Sequence, residues 1–177
     1  MERISLVPVS QAYAEEIGRY RAEFSAQSTR ATYVQDRIPG LDHLEEYEDA
    51  REWLRLCERM RGRISWYLGI REGDGRLVGC LVLRHRLEYD DDDPEFASHI
   101  GYSVRPGERG KGYAKELLRL GLQKAAEHGL HSVRLICLDR NTASSRVISA
   151  NGGVQVDSIY GEESGMTVLR YDVPTMR

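Results

Sequence analysis

Residues 104–118, VRPGERGKGYAKELL, constrain this chain more than any other stretch. They read as the end of a strand, a tight glycine loop and the start of an amphipathic helix. Gly110 and Gly112 carry no Cβ, so the backbone there can approach a ligand closely. The first turn of the following helix offers unpaired N–H groups and the positive end of its dipole. Such a junction suits phosphate. Spelling excludes two familiar phosphate loops. A nucleotide P-loop requires Gly-Lys followed by Ser or Thr, whereas Lys111 is followed by Gly112 and Tyr113. A dinucleotide fingerprint requires G-x-G-x-x-G, and Lys115 stands where its third glycine belongs.

What remains is Arg109-x-x-Gly112-x-Ala114, preceded by a Val-x-Pro strand end. A second segment, residues 141–153 (NTASSRVISANGG), follows after one helix and one strand. Taken alone it reads as an Asn N-cap, a short helix and a glycine stop. Taken in order, the two segments resemble the GNAT family of N-acetyltransferases. That family spells its pyrophosphate loop Gln/Arg-x-x-Gly-x-Gly/Ala and places Asn-x-x-Ser or Asn-x-x-Ala after its fifth strand. The resemblance covers residues 60–173 closely, and the N-terminal third by element order only.

Hydrophobic spacing and turn residues outline the rest. Residues 4–9 form a first strand, and Ser10 is placed to cap a helix over residues 11–24. Residues 25–42 are polar and irregular, with a stop at Pro39-Gly40. Asp42 then caps a second helix, with Leu44, Tyr47, Trp53, Leu54, Leu56 and Met60 on its apolar side. Strands over 64–71 and 76–88 flank the Gly73-Asp74-Gly75 turn. A strand over 97–104 leads into the glycine loop, and a helix over 111–128 leaves it, ended by Gly129. A buried strand over 133–138, a short helix over 142–150 and two strands over 153–160 and 166–173 complete the order. The fold class expected is α/β. The β-α-α-β-β-β-α-β-α-β-β order resembles the GNAT sandwich, a mixed, mostly antiparallel seven-stranded sheet flanked by about four helices. Residues 1–177 are expected to form one N-acetyltransferase domain.

Charge narrows the partners. Twenty-five basic against 28 acidic side chains give a formal net charge of −3. A general nucleic-acid binder shows a strong basic excess instead, so no nucleic-acid partner is expected. No apolar run is long enough to span a membrane, and residues 1–5 lack a signal peptide's apolar core. Cys57, Cys80 and Cys137 are odd in number and far apart, as expected of buried free thiols in a reducing compartment. A cytoplasmic protein is expected.

The resemblance implies acetyl-CoA as cofactor. In that family the strands that would end at Val104 and Leu138 diverge, and pantetheine lies in the wedge. Val104 would pair with pantetheine. Arg109, Gly110, Lys111, Gly112, Tyr113 and Ala114 would surround the pyrophosphate with amides. Asn141 and Ser144 would contact the pantetheine arm from the other side. Arg146 reads either as a phosphate contact or as an exposed helix charge. Dimers are common in proteins of this kind, so a homodimer is an expected assembly.

Acetyl transfer to an amine needs a neutral nucleophile, a polarised carbonyl and a proton for the leaving thiolate. A backbone N–H near Val104 can polarise the carbonyl. Many family members carry a tyrosine seven residues after the asparagine as the thiolate's acid. Ile148 occupies that position here and has no proton to give. Three residues are candidate replacements: Ser144 on the first turn of its helix, and His99 and Tyr102 on the strand before the loop. By alternation His99 shares a face with Gly101 and Ser103, and Tyr102 shares one with Ile100 and Val104. His99 could serve as a base near neutral pH. Glu88 and Tyr160 are weaker candidates. The run Asp90-Asp91-Asp92-Asp93, with Glu95, lacks His, Cys or a calcium-loop glycine and reads as a solvated connection, so no metal is expected. Acceptor contacts are expected from residues 25–42, including Tyr33, Asp36 and Arg37, and from Glu162 and Glu163 in the last hairpin. Two functions follow. One is an acetyl-CoA-dependent N-acetyltransferase acting on a primary amine of a small molecule, amino-acid derivative or protein terminus. The other is a non-catalytic acyl-CoA-binding sensor of the same fold.

Overall fold

The computed structural model describes residues 2–26, 37–89, 96–162 and 164–175. Among these residues, seven strands and four α-helices follow the expected order. They are β1 Ile4–Pro8, α1 Ala14–Ala26, α2 Ala50–Arg59, β2 Ile64–Arg71, β3 Leu77–Arg84, β4 Ile100–Val104, α3 Tyr113–Glu127, β5 Ser132–Leu138, α4 Thr142–Ser149, β6 Val154–Gly161 and β7 Met166–Pro174. The strands form two hydrogen-bonded sheets, in orders β1-β2-β3-β4 and β5-β7-β6. Every strand pairing within them is antiparallel.

The two sheets meet just before β4. The His99 N–H donates to the Arg134 carbonyl at 2.9 Å, and the Arg134 N–H donates to His99 Nδ1 at 2.9 Å. Beyond this joint no ladder links β4 to β5 among the described residues. The strands therefore part toward Val104 and Leu138. The expected seven-stranded sheet is split, and the split is the wedge.

Packing explains why α3 lies along the first sheet. A Cβ on Gly69 or Gly79 would come within 2.5 or 2.4 Å of a Leu117 methyl, so these two glycines make the groove that Leu117 fills. Leu117, Leu118 and Leu122 are fully buried there. On the opposite face Ile17, Tyr20, Trp53, Leu54, Trp66 and Leu68 form a second core, with Trp53 and Trp66 edge to face at 6.1 Å. All three cysteines are free and buried.

Several local expectations give way to tertiary contacts. Ser10 makes no side-chain cap; a short 3-10 turn over Gln11–Tyr13 precedes α1. Asp42 does not cap α2 either. Leu44–Glu46 is a separate 3-10 turn, and α2 begins at Ala50, where Asp49 accepts from the Arg51 N–H at 2.8 Å. Asp42 is instead buried in an ion pair with Arg84, which also donates to the Ser98 carbonyl at 3.0 Å. An arginine inside an otherwise apolar strand needs a carboxylate more than a surface helix needs a cap. Strand β3 stops at Arg84 and β4 starts at Ile100, so the strands expected over 76–88 and 97–104 are shorter.

Arg84→Met leaves the buried Asp42 carboxylate with only the looser Arg37 contact at 3.8 Å. Stability measured by urea unfolding is expected to fall by about 3 kcal/mol. Arg84→Met with Asp42→Leu should regain most of that loss. An equal loss in the double variant would show that packing, not charge, holds this site.

Candidate active site

The wedge opens into a cleft of about 500 Å3 at the far end of β4 from the His99 joint. Its first wall is the end of β4, contributing Tyr102, Ser103 and Val104. Its floor is the glycine loop. Pro106–Glu108 forms one 3-10 turn, after which Gly110 and Gly112 adopt φ of +77° and +86°. Gly112 is the N-cap of α3 and has no side chain with which to occupy the helix's free amides. The opposite wall is α4, contributing Asn141, Ala143, Ser144 and Val147. The Asn141 side chain accepts from the Ser144 N–H at 3.1 Å and so starts that helix.

Charged side chains brace the loop from behind. Arg105, buried, donates to Glu23 at 2.7 and 2.5 Å, to Glu16 at 2.6 Å and to the Leu77 carbonyl at 3.0 Å. This clamps α1 to the end of β4. Glu108, also buried, collects Lys111 at 2.8 Å, Arg76 at 2.9 Å and Arg71 at 3.1 Å. Its carboxyl is held below the ordinary range, first by the Lys111 hydrogen bond and then by the arginines. Arg109 turns inward, with Nε 3.4 Å from the Val104 carbonyl and its guanidinium 5.2 Å from the Phe24 ring centroid. That distance is within cation–π range.

Tyr102 and Ser144 reach across the wedge. Tyr102 Oη and Ser144 Oγ are 2.9 Å apart. Burial pushes the Tyr102 phenol up, while the Ser144 hydrogen bond acts in the opposite sense. The phenol is therefore protonated throughout the physiological range. Ile148 is fully buried against Gly153.

The structure brings Val104, Arg109, Gly110, Gly112, Tyr113, Ala114, Asn141, Ser144 and Tyr102 to one cleft. Tyr113 borders it, but its side chain is buried and its hydroxyl accepts from Arg71 at 3.4 Å. Lys111 is turned toward Glu108. His99 is not brought there: it sits at the joint, with Nδ1 occupied by the Arg134 amide. Its position before the strand follows from the shorter β4. Arg146, Glu88, Tyr160 and Glu162 are exposed and do not line the cleft. Arg37 lies instead near Asp42 and Glu45, at 3.8 and 3.9 Å. Tyr33, Asp36, Glu163, Asp90–Asp93 and Glu95 fall outside the described residues. Among the described residues no His, Cys, Asp and Glu grouping could hold a metal ion, and no helix is long and apolar enough to cross a membrane. Pro39, within the 25–42 stretch expected to meet the acceptor, lines the cleft, and so does Phe24, which the sequence did not single out. The one sequence signal for Phe24 is its place four residues after Tyr20, on the same helix face; their rings stack at 5.1 Å.

The cleft fits a coenzyme A pyrophosphate and pantetheine arm. A Cβ at Gly110 would meet nothing within 4 Å, so the loop surface is open. Arg109 and the N-terminus of α3 line the same cleft, a pairing that suits an anion.

Two histidines near the joint carry a pH prediction. Burial holds His99 below the ordinary imidazole range, with the Arg134 charge acting in the same direction. Burial followed by the His128 charge does the same to His85. In the unfolded chain both return to about 6.5. Below that pH the unfolded state binds more protons, so stability is present above it and is lost as pH falls. The urea midpoint is expected to drop between pH 7.5 and 5.5, and to drop less in His85→Asn. A midpoint flat over this interval would contradict the burial of both rings.

A family model described as an acetyltransferase (GNAT) domain matches residues 3–154. No curated protein matches the sequence at a significant level. Solved structures do match in fold. A ribosomal L7/L12 α-N-protein acetyltransferase in complex with coenzyme A aligns with a TM-score of 0.74 at 15% identity, over 97% of this chain and 93% of that one. A ribosomal-protein-S5-alanine acetyltransferase from Vibrio fischeri gives 0.73 at 16% identity, over 99% and 94%. A spermidine N-acetyltransferase chimera from Vibrio cholerae and hSSAT gives 0.71 at 15% identity, over 97% and 95%.

Proposed function

The chain belongs to the GNAT acetyltransferases, and from that premise we propose that residues 1–177 act as one domain moving acetyl directly to a primary amine of a small molecule, amino-acid derivative or protein terminus. It is an N-acetyltransferase, and its cofactor is acetyl-CoA. The observation that carries the finer reading is the Tyr102–Ser144 pair at 2.9 Å, inside the same cleft as the glycine loop. The alternative of a non-catalytic sensor rested on Ile148 in place of an acid. Tyr102, acting as the acid from the same cleft, would remove that reason.

When bound, acetyl-CoA supplies an acetyl group already activated as a thioester. The amides of residues 109–114 and the α3 dipole would hold the pyrophosphate, and Arg109, steadied by Phe24, would add a positive charge. The β4 backbone at Val104 would align the pantetheine arm and polarise the acetyl carbonyl. Tyr102, hydrogen-bonded to Ser144, would be the proton donor to the thiol leaving group. Asn141 fixes the first turn of α4 and therefore Ser144. His99 has no part in this route. The fold relatives named above include proteins described as acting on ribosomal-protein termini and on spermidine, so both amine types belong in the acceptor panel.

Two steps test the reading. Calorimetric titration with acetyl-CoA, with ATP and NAD as controls, should show saturable micromolar binding of acetyl-CoA alone. Thiol-reagent detection should then show CoA release with spermidine or with peptides bearing free N-terminal Ala or Ser. Tight binding without release for any acceptor would return the sensor reading. Equal binding of ATP would sink the loop assignment.

A further inference from the structure

A second cavity, of about 410 Å3, shares no described lining residue with the cleft. Strand β1 stops opposite Tyr67 and the chain enters a 3-10 turn at Gln11, which leaves Ile64 and Ser65 of β2 beyond its end. Val9, Leu54 and Ile64 give the cavity an apolar wall, and the half-buried Ser65 lines it too. Ser65 Oγ lies 2.9 Å from His85 Nε2, and His85 Nδ1 lies 3.1 Å from the Gly62 carbonyl oxygen. These two contacts fix both protons. A carbonyl can only accept, so Nδ1 carries the hydrogen. Burial, followed by the His128 charge, holds the ring below the ordinary imidazole range, so it is neutral at pH 7. Nε2 is then a bare lone pair, and the Ser65 hydroxyl donates to it. His128, which lines the cavity, packs on the His85 ring with centroids 4.0 Å apart. A hydroxyl, an imidazole and an acceptor that orients it are the parts of an activated serine.

We propose that Ser65, with His85 as its general base, is the nucleophile of a second site that hydrolyses small uncharged esters bearing an apolar acyl chain. This activity is independent of acetyl transfer. Ser65 Oγ bonds to the ester carbonyl carbon while its proton passes to His85 Nε2. The bond from that carbon to the alcohol oxygen breaks, and the proton leaves on the alcohol. Water then attacks the acyl-serine and gives one proton to Nε2, which returns it to Oγ as the acid departs. One water is consumed, and both residues end as they began. Arg61 lines the same cavity, is exposed and has no partner among the described residues, so it is the cation at hand for the oxygen charge that develops. Glu58 beside it balances that charge, which is why an uncharged ester suits the site. The apolar wall takes the acyl chain. Cys57 also lines the cavity, but burial pushes its thiol up, so it does not compete as a nucleophile.

The test uses the full chain and two probes, an alkyl fluorophosphonate that reacts with activated serines and p-nitrophenyl butyrate. Mass spectrometry of the digested parent chain should find the phosphonate on Ser65, and release of p-nitrophenol should exceed that in buffer. Ser65→Ala should abolish both signals. His85→Asn keeps a donor toward the Gly62 carbonyl but has no base, and should slow labelling and hydrolysis by about 100-fold or more. Arg61→Met should slow hydrolysis less. Calorimetric binding of acetyl-CoA should be the same in Ser65→Ala as in the parent, because the two cavities share no described lining residue. A parent chain left unlabelled at Ser65 overturns the proposal, and this result needs no variant to fold. Label on Ser144 in place of Ser65 overturns it as well, by moving the reactivity to the cleft. Equal rates in the parent and a folded His85→Asn variant remove His85 as the base and the proposal with it.

Discussion

Gly112→Asp should weaken acetyl-CoA binding by about 100-fold or more, equivalent to about 2.7 kcal/mol. Two effects combine at this position. Gly112 holds φ +86° at the N-cap of α3, a conformation that costs an L-residue about 1–2 kcal/mol, least for Asn and Asp. The larger effect is electrostatic, because the carboxylate would stand where the pyrophosphate must lie and would itself occupy the free helix amides. Gly112→Asn separates the two: it has the same shape and tolerates the same backbone but carries no charge. Calorimetry should find Asn well above Asp in affinity, with thermal melts of both near that of the parent chain. Equal losses would assign the effect to backbone strain. Normal binding by the Asp variant would mean that the loop does not hold pyrophosphate.

Tyr102→Phe should lower kcat by about 100-fold, within the range of a general acid. The KM for acetyl-CoA should change by less than about twofold, because the ring still fills its place beside Ser144. This split identifies a group acting in the transition state and not in binding. Ser144→Ala should reduce kcat less, since the phenol remains but loses the partner that orients it. A Tyr102→Phe enzyme with parental kcat would remove the acid assignment and leave the proton to water.

The parts of the site governed by local chemistry were legible in the residues. The glycine loop, the Asn141 cap and the helix that follows each need residue types that announce themselves, and they converge on one cleft. Element order was legible for the same reason, through Gly73–Gly75, Gly129 and the apolar spacing of Leu117, Leu118 and Leu122. Partners distant in sequence were not. Asp42 read as a helix cap because nothing local reveals that Arg84, 42 residues away, lies buried beside it. His99 read as a base because alternation along a strand does not reveal that the strand begins one residue later and that Arg134 occupies the ring nitrogen. Phe24 went unnoticed because its role depends on Arg109 folding back over α1. Tyr102 and Ser144 were each visible, but their pairing depends on how far the two sheets part.

The joint at His99 and Arg134 has a consequence for the chain's survival in a cell. Past that joint the facing edges of β4 and β5 have no strand partner among the described residues, and open edges recruit strands from other molecules. On the proposed reading, a coenzyme arm between them would supply the missing rung. Binding only when both sheets are assembled, it would stabilise the native state by mass action. Supply of the acyl carrier then sets the persistence of the catalyst as well as its rate. A cell depleted of the carrier would lose this enzyme to aggregation sooner than one that is replete.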